Sequence, residues 1–325
     1  MTMAVTSPGA KRVRVHFTNF HAGAGEVWVF APGDSFAFAP YTDRGPNRSG
    51  DFWAAAVDSD TAIVAFAAPA FQTPARPPFE IDALTHEWPA TDAASCEVDA
   101  TCFPQFQTAM TAVARYSFIR DADGGLYVCS GTMVNTAGKS LKPYMLTAHH
   151  CIGSDSEAQT IEASFLYQTA TCNGTPPKLG AASVPTVVGG SYLAGDVVAN
   201  GDWSLLLLPS VPAGVSFLNW NVALDQGAAV TGLHHPQGSY TRISQGNRTA
   251  DAGFTLNGET APAGAYYQVA WTSGVTETGS SGSPLLNANQ EVVGTLTGGP
   301  VIPQGLGSCD VAPAAVYGRF TNAFP

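Results

Sequence analysis

Residues 277–284 read ETGSSGSP, three serines among two glycines, closed by a proline. A serine hydroxyl attacks nothing unaided near neutral pH, so one of these can be a nucleophile only if a positioned base stands elsewhere in the chain. Taken alone, the string reads equally as a Gly/Ser loop. The histidines separate the two readings. There are seven, His16, His21, His86, His149, His150, His234 and His235, and none follows Ser283. An α/β-hydrolase requires the chain order Ser, acid, His and a Gly-x-Ser-x-Gly elbow. Neither condition is met, because Ser283 stands where the second elbow glycine would be if Ser281 were the nucleophile. The remaining common order is His, Asp, Ser, with all three on β structure.

Working outward, MLTAHHCIG (145–153) places His149 and His150 at the end of an apolar strand, directly before Cys151. The stretch NGDWSLLLLP (200–209) puts Asp202 at the head of an apolar run, where a carboxylate can be held below the surface. Successive strand side chains point to opposite faces, so only one of the two histidines can face the nucleophile, and His150 is the better placed. A histidine pair alone is more often structural than catalytic; the ordered set of three sites gives this one its meaning.

The 325-residue chain is 45% apolar, only 12% charged, and rich in Gly (34) and Pro (23). Short runs of Val, Ile, Tyr, Phe, Trp and Thr between turn residues favour an all-β architecture. The net charge of −11 argues against a polyanionic partner, since nucleic-acid affinity comes largely from Lys and Arg at phosphates. No apolar run reaches the roughly eighteen residues of a membrane span. Six cysteines without a Cys-x-x-Cys pair suit disulfides better than a structural zinc site, which implies an oxidising compartment, secreted or periplasmic. The first fifteen residues lack the apolar core of a signal peptide, so further sequence upstream is expected. We expect a monomer acting on protein or peptide substrates, with no nucleic-acid or membrane partner.

Cysteine-free residues 11–71 carry strand-like runs (RVRVHF, EVWVFAP, FWAAAV, TAIVAFAAP) and read as a small unit of their own. The division expected is an N-terminal β-rich domain over 1–80, a linker over 81–94, and a second domain over 95–325. In that second region ARYSFIRDADGGLYVCSGTMVN reads as a hairpin turning at Asp123-Gly124-Gly125. Strands are expected again in PYMLTAHHC, TIEASFLYQ, WSLLLLP, AVTGLHHP, AYYQVAW, EVVGTLTGG and AAVYGRF.

Six stretches, VCSGTMVN, YMLTAHHC, GDWSLLLL, GLHHPQGSYTRIS, GVTETGSSGSP and VVGTLTGGP, together resemble the lysyl-endopeptidase branch of bacterial chymotrypsin-fold serine proteases. The resemblance runs with gaps from about Cys96 to Phe320. It implies a chymotrypsin-like double antiparallel β-barrel, two barrels of six strands with the active site between them. It implies a secreted serine endopeptidase with His150 as base, Asp202 as the orienting acid and Ser281 as nucleophile, and the N–H groups of Gly279 and Ser281 as oxyanion donors. It pairs Cys129 with Cys151, Cys96 with Cys309 and Cys102 with Cys172. It calls for no cofactor and no metal. By the same resemblance a helix beyond RFTNAFP is expected to be missing.

The departures matter. Animal trypsins carry Asp directly before the nucleophile, to pair with a new N-terminal amine, and here that residue is Ser280. The expected switch is therefore removal of the N-terminal region as a pro-segment. Lys-specific relatives keep an Asp where this chain has Ala315, and a second acidic position survives as Glu277. Residues 80–95 hold no Lys or Arg, so self-processing there would require another residue. Strict Lys cleavage is thus not expected, and a small or medium uncharged residue is. The substrate backbone is expected to add a strand to Thr297-Gly298-Gly299. The rivals are a protease-like binding protein without activity and a zinc protein using the paired histidines. Three competent residue types weigh against the first, and adjacent strand histidines chelate poorly, which weighs against the second. For the N-terminal unit, pro-segment, inhibitor and accessory binding module all remain open.

Overall fold

The computed structural model describes residues 1–34, 40–46, 48–70, 76–88 and 92–323. The N-terminal unit is built from two small antiparallel sheets. One orders Thr2–Thr6, Thr61–Ala67, Gly23–Phe30 and Tyr41–Asp43; the other orders Phe52–Trp53, Val15–Thr18 and Glu80–Leu84. Alternation sets what each strand buries. Ala62, Val64 and Phe66 of one strand and Val27 and Val29 of its neighbour turn inward onto Phe17, Phe20, Phe52 and Phe79. The rings meet at centroid distances of 5.0 Å for both Phe17–Phe79 and Phe20–Phe52.

This unit does not end at residue 80. Val15–Thr18 pairs with Glu80–Leu84, and Arg12 bridges Glu87 in the same direction. The expected linker 81–94 therefore begins too early. Its strand is hidden because Ile81 and Leu84 sit among polar and charged residues, and backbone pairing supplies what the apolar pattern lacks.

Two larger sheets follow. The first orders Thr186–Val188, Glu162–Ser164, Val113–Ile119, Leu126–Met133, Tyr144–Thr147, Trp203–Leu207 and Ser191–Asp196. Its edge strands are joined by Gly189-Gly190 alone, so the sheet must curl until its two edges lie close, forming a half-barrel. The second orders Ala229–His234, Pro284–Leu286, Val292–Gly298, Ala314–Arg319, Glu259–Ser273 and Arg242–Leu256, and pairing of the first with the last closes it into a six-strand barrel. Val98–Asp99 adds to the Arg242–Leu256 strand. The hairpin expected around Asp123-Gly124-Gly125 is present, with Leu126 opposite Ile119. A second hairpin, Arg242–Leu256 with Glu259–Ser273, turns at Asn257-Gly258, both at positive φ (52° and 86°) as a tight two-residue turn demands. The three disulfides are Cys96–Cys309, Cys102–Cys172 and Cys129–Cys151, as the resemblance implied.

The N-terminal unit is joined to the half-barrel by buried charges. Glu162, fully buried, meets Arg12 Nη2 at 3.3 Å and accepts from Ala56 N–H at 2.8 Å and from the Ser117 hydroxyl at 3.2 Å. Arg14 donates to the Thr160 carbonyl at 2.7 Å, and Glu87 pairs with both Arg12 (3.1 Å) and Arg115 (3.0 Å). Burial alone would raise the Glu162 pKa; the nearby Arg12 and Arg14 charges and the Ala56 N–H outweigh it and hold it below the usual carboxylate range. Removing one partner strands the other charge in the interior, so Arg12→Ala is expected to cost about 3–5 kcal/mol, read as a lower denaturant midpoint. Because the folded pKa lies below the unfolded value of about 4.3, this contribution is present above that pH and is lost as pH falls through the folded value. An Arg12→Ala chain as stable as the parent, with the same acid limb, would show that the cluster holds nothing together.

Candidate active site

The segment after Tyr144–Thr147 carries His150, tied by the Cys129–Cys151 disulfide to the neighbouring strand. By shortening the unfolded ensemble, such a cross-link contributes roughly 3 kcal/mol. Asp202 heads Trp203–Leu207, which pairs with Tyr144–Thr147, so adjacent ladders bring base and acid together. Asp202 is wholly buried and holds φ 54°, a left-handed conformation that Asp tolerates better than most residues. Its Oδ2 lies 2.6 Å from His150 Nδ1, and its Oδ1 accepts from the His150 backbone N–H at 2.8 Å.

A carboxylate only accepts, so His150 Nδ1 carries the proton and Nε2 is left as the acceptor. Burial alone would raise the Asp202 pKa; the His150 charge, the two hydrogen bonds from His150 and the Thr297 hydroxyl together lower it. Asp202 thus stays ionised behind the imidazole. His149 turns elsewhere, its Nδ1 at 3.4 Å from the Tyr192 hydroxyl.

Ser281 sits on the turn between Val275 and Pro284, and neighbouring backbone holds that turn in place. Ser130 N–H donates to the Ser281 carbonyl at 2.8 Å, the Ser130 hydroxyl donates to the Gly279 carbonyl at 2.8 Å, and Gly282 N–H reaches Leu296 O at 2.8 Å. Ser130 belongs to the half-barrel and Leu296 to the closed barrel, so the turn is clamped from both. Gly282 is at φ +83°, and a Cβ there would stand 2.1 Å from Thr147 Oγ1, so only glycine lets the turn approach the strand leading to His150. Gly279 is at φ +92°. Among the described residues the N–H groups of Gly279 and Ser281 donate to nothing, whereas those of Ser280, Gly282 and Ser283 are all paired. Also among the described residues, no hydrogen bond joins the Ser281 hydroxyl to His150. Such bonds commonly tighten only when substrate is present.

Ser280 has a defined role. The Ser244 hydroxyl spends its proton on Val275 O, so it accepts from His234 Nε2; His234 Nδ1 then accepts from Ser280, whose oxygen takes the Glu277 N–H. Burial pushes His234 down to about 3 and His235 to about 4, leaving both neutral near pH 7. Next to them, burial first and Glu277 second raise Glu97 to about 9, so it is protonated there.

Beside Ser281 opens a cavity of about 220 Å³, whose lining includes Val275, Glu277, Gly298, Gly299 and Ala314. Two expectations need correction. Ala315 packs into the closed-barrel core with Tyr267, Val269 and Tyr317, and its neighbour Ala314 faces the cavity instead. A bulge between Leu296 and Gly298 sets Thr297 apart, and its buried side chain is not among the residues lining the cavity. Glu277 does line the cavity, but Ala94 N–H (2.8 Å) and the Ser308 hydroxyl (2.7 Å) already occupy its two oxygens. Ser130 escaped the residue-level reading; its signal was adjacency to Cys129 on the strand facing the turn.

The closed barrel, the half-barrel and the His150–Asp202 pair beside the Ser281 turn define a protein of the chymotrypsin-fold serine protease class. The model of the family described as lysyl endopeptidase, C-terminal domain, matches residues 90–309. The lysyl endopeptidase of Pseudomonas aeruginosa is 31% identical over 308 residues, covering 89% of this chain. The chain belongs to the lysyl endopeptidase C-terminal domain family. It spans 62% of the length of that Pseudomonas relative. Among solved structures, the active form of the Rv3671c protease of M. tuberculosis is similar at 14% identity and TM-score 0.46, covering 72% of this chain and 87% of that one. The thermostable serine protease AL20 from an extremophilic microorganism is similar at 14% identity and TM-score 0.45, covering 66% and 94%. Both likenesses are loose, and membership rests on the family model and the Pseudomonas relative.

Proposed function

We propose that the chain is a serine endopeptidase that cuts peptide bonds through an acyl-enzyme formed on Ser281. The observation that carries this reading is the His150–Asp202 contact at 2.6 Å, which leaves Nε2 basic, next to a turn with two unspent N–H groups. The Ser281 hydroxyl attacks the scissile carbonyl and passes its proton to His150 Nε2. Asp202 keeps the imidazole in that tautomer and stabilises it once charged. The carbonyl oxygen, now negative, takes the N–H groups of Gly279 and Ser281, each worth roughly 3 kcal/mol of barrier. His150 then protonates the departing amine, and water repeats the sequence in reverse to free the acid.

The cavity supports a small or medium uncharged residue on the acyl side. Glycines and Ala314 form part of its wall, and the carboxylate in its lining, Glu277, already accepts hydrogen bonds from Ala94 N–H and the Ser308 hydroxyl, which weakens its pull on an incoming ammonium. Substrate backbone would add along Gly298 and Gly299. The disulfides fit a secreted or periplasmic protein, and among the described residues no helix is long and apolar enough to cross a membrane. For a zymogen, the geometry supports a chain whose nucleophile turn is already organised before any cut, since Ser280 and His234 hold it.

Treating the full chain with a fluorophosphonate and mapping the adduct tests this. The label is expected on Ser281 and is expected to vanish with His150→Ala. A peptide-library digest by the same preparation is expected to show cuts after uncharged residues. Label elsewhere would sink the mechanism, and cleavage confined to Lys or Arg would sink the specificity.

A further inference from the structure

The segment leading out of the N-terminal unit touches the acyl cavity through one backbone atom. Ala94 N–H donates to Glu277 Oε2 at 2.8 Å, while the Ser308 hydroxyl donates to Oε1 at 2.7 Å. Both donors are neutral, so Glu277 lines the cavity with no cation paired to it among the described residues. Glu97 brings a second acid to this corner. Its carboxyl is buried, neither of its oxygens makes a hydrogen bond among the described residues, and Glu277 adds to the burial that keeps it protonated. Arg242 donates to the Glu97 carbonyl at 3.3 Å, not to either carboxyl group. A corner of this kind is suited to a positive charge.

Ala94 is held from one side only. Its carbonyl accepts from Glu97 N–H at 2.9 Å, and two residues further on Cys96 is bonded to Cys309, the neighbour of Ser308. Before it, Asp92 and Ala93 make no backbone hydrogen bond among the described residues, and Asp92 is exposed. Partly exposed backbone without pairing is where a protease can enter.

We propose that the chain cuts itself between Ala93 and Ala94 and that the new Ala94 ammonium pairs with Glu277, so that the first residue of the processed chain sets the charge of the acyl cavity. On the reading of that cavity above, on which this inference rests, Ala93 is the small uncharged residue it accepts, and residues 80–95 hold no Lys or Arg. Hydrolysis adds one water across the amide. Ala93 ends as a carboxylate, and the Ala94 nitrogen takes both of the water's protons, becoming an ammonium that is charged near neutral pH because an α-amine titrates at about 7.7–8.0. The nitrogen already stands 2.8 Å from Glu277 Oε2, so a neutral hydrogen bond becomes a charge-assisted one while the backbone after it stays in place. A cut farther upstream leaves an ordinary amide at Ala94. The nucleophile turn does not depend on the pair, since Ser280 and His234 already hold it. What the cut changes is the cavity: Glu277 beside an ammonium attracts a substrate Lys less, and the balance moves to an uncharged side chain.

Two measurements test this. When the full chain is left to process itself, mass spectrometry is expected to find Ala94 as the new first residue. A different first residue overturns the inference, as does a chain that cleaves added peptide yet leaves its own 93–94 bond intact. The ion pair is read without self-processing. In the full chain carrying Ser281→Ala, the recognition sequence Asp-Asp-Asp-Asp-Lys of a second protease is placed to end at residue 93 or at residue 92, so that cutting the folded protein leaves Ala94 or Ala93 first. The affinity for a peptide with Lys on the acyl side of the scissile bond is divided by that for the same peptide with Ala there. This ratio is expected to be about tenfold lower for the chain beginning at Ala94, and Glu277→Gln is expected to erase the difference. Equal ratios overturn the inference, and so does a difference that survives Glu277→Gln. Failure of the unmodified chain to cleave any peptide counts against the hydrolytic mechanism instead, because the binding ratios need no turnover.

Discussion

Ser281→Ala lowers kcat by on the order of a millionfold while leaving the fold intact. In a related arrangement of groups, losing the nucleophile costs about as much as losing the whole set, because the remaining members have nothing to act upon. The residue is suited to such a test. Its side chain makes no hydrogen bond to His150 in the free structure, while the contacts that hold the turn run through Ser130 N–H, Gly282 N–H and the Ser280–His234 link. None of these uses the Ser281 hydroxyl, so the circular dichroism and melting temperature of the variant should match those of the parent. The measurement is single-turnover cleavage of a peptide substrate alongside thermal unfolding. A loss of less than a hundredfold with unchanged stability would mean that another group attacks.

Asp202→Asn should lower kcat about ten-thousandfold. The reason lies in a contact that is easily passed over. Oδ1 of Asp202 accepts from the His150 backbone N–H at 2.8 Å, and Oδ2 faces Nδ1 at 2.6 Å. Asparagine has one oxygen, and the backbone N–H demands it. The amide nitrogen must then face Nδ1 and donate to it, which moves the ring proton to Nε2, where a base cannot have it. Substrate affinity, set by the cavity on the other side of Ser281, should change little. Kinetics with a fixed peptide decide the matter: a fall of less than tenfold would show that the carboxylate does not govern the tautomer.

Strand positions were legible wherever one face was buried. Residues 203–207 and 292–298 carry the apolar runs that a buried strand requires, and both form as expected. The hairpin turning at Asn257-Gly258 has two arms of fifteen residues each, far longer than the expected AYYQVAW strand, because much of each arm is polar and exposed. Residues 81–84 of the Glu80–Leu84 strand fall in the expected linker for the same reason. Backbone ladders need no apolar side chains, so composition is blind to strands held chiefly by pairing.

The site divides along a similar line. His150, Asp202 and Ser281 are chemically distinctive and stand in a telling order, so local sequence was enough to propose them. Ala315 against Ala314 turned on which side of one strand faces the cavity, a matter of register that a one-residue shift reverses. Thr297 was expected at the substrate and lies outside the cavity lining, because a bulge interrupts its strand.

The amino-acid string alone determined the β class and which residue types stand in the order His, Asp, Ser, since apolar periodicity and side-chain chemistry are local properties. Folding in three dimensions decided that Glu277 already accepts two hydrogen bonds, that Ser130 clamps the nucleophile turn, and that Ala314 rather than Ala315 lines the cavity. Each of these joins residues more than a hundred positions apart in the chain or sets the direction of a single side chain, and only the packing of one sheet against another fixes either.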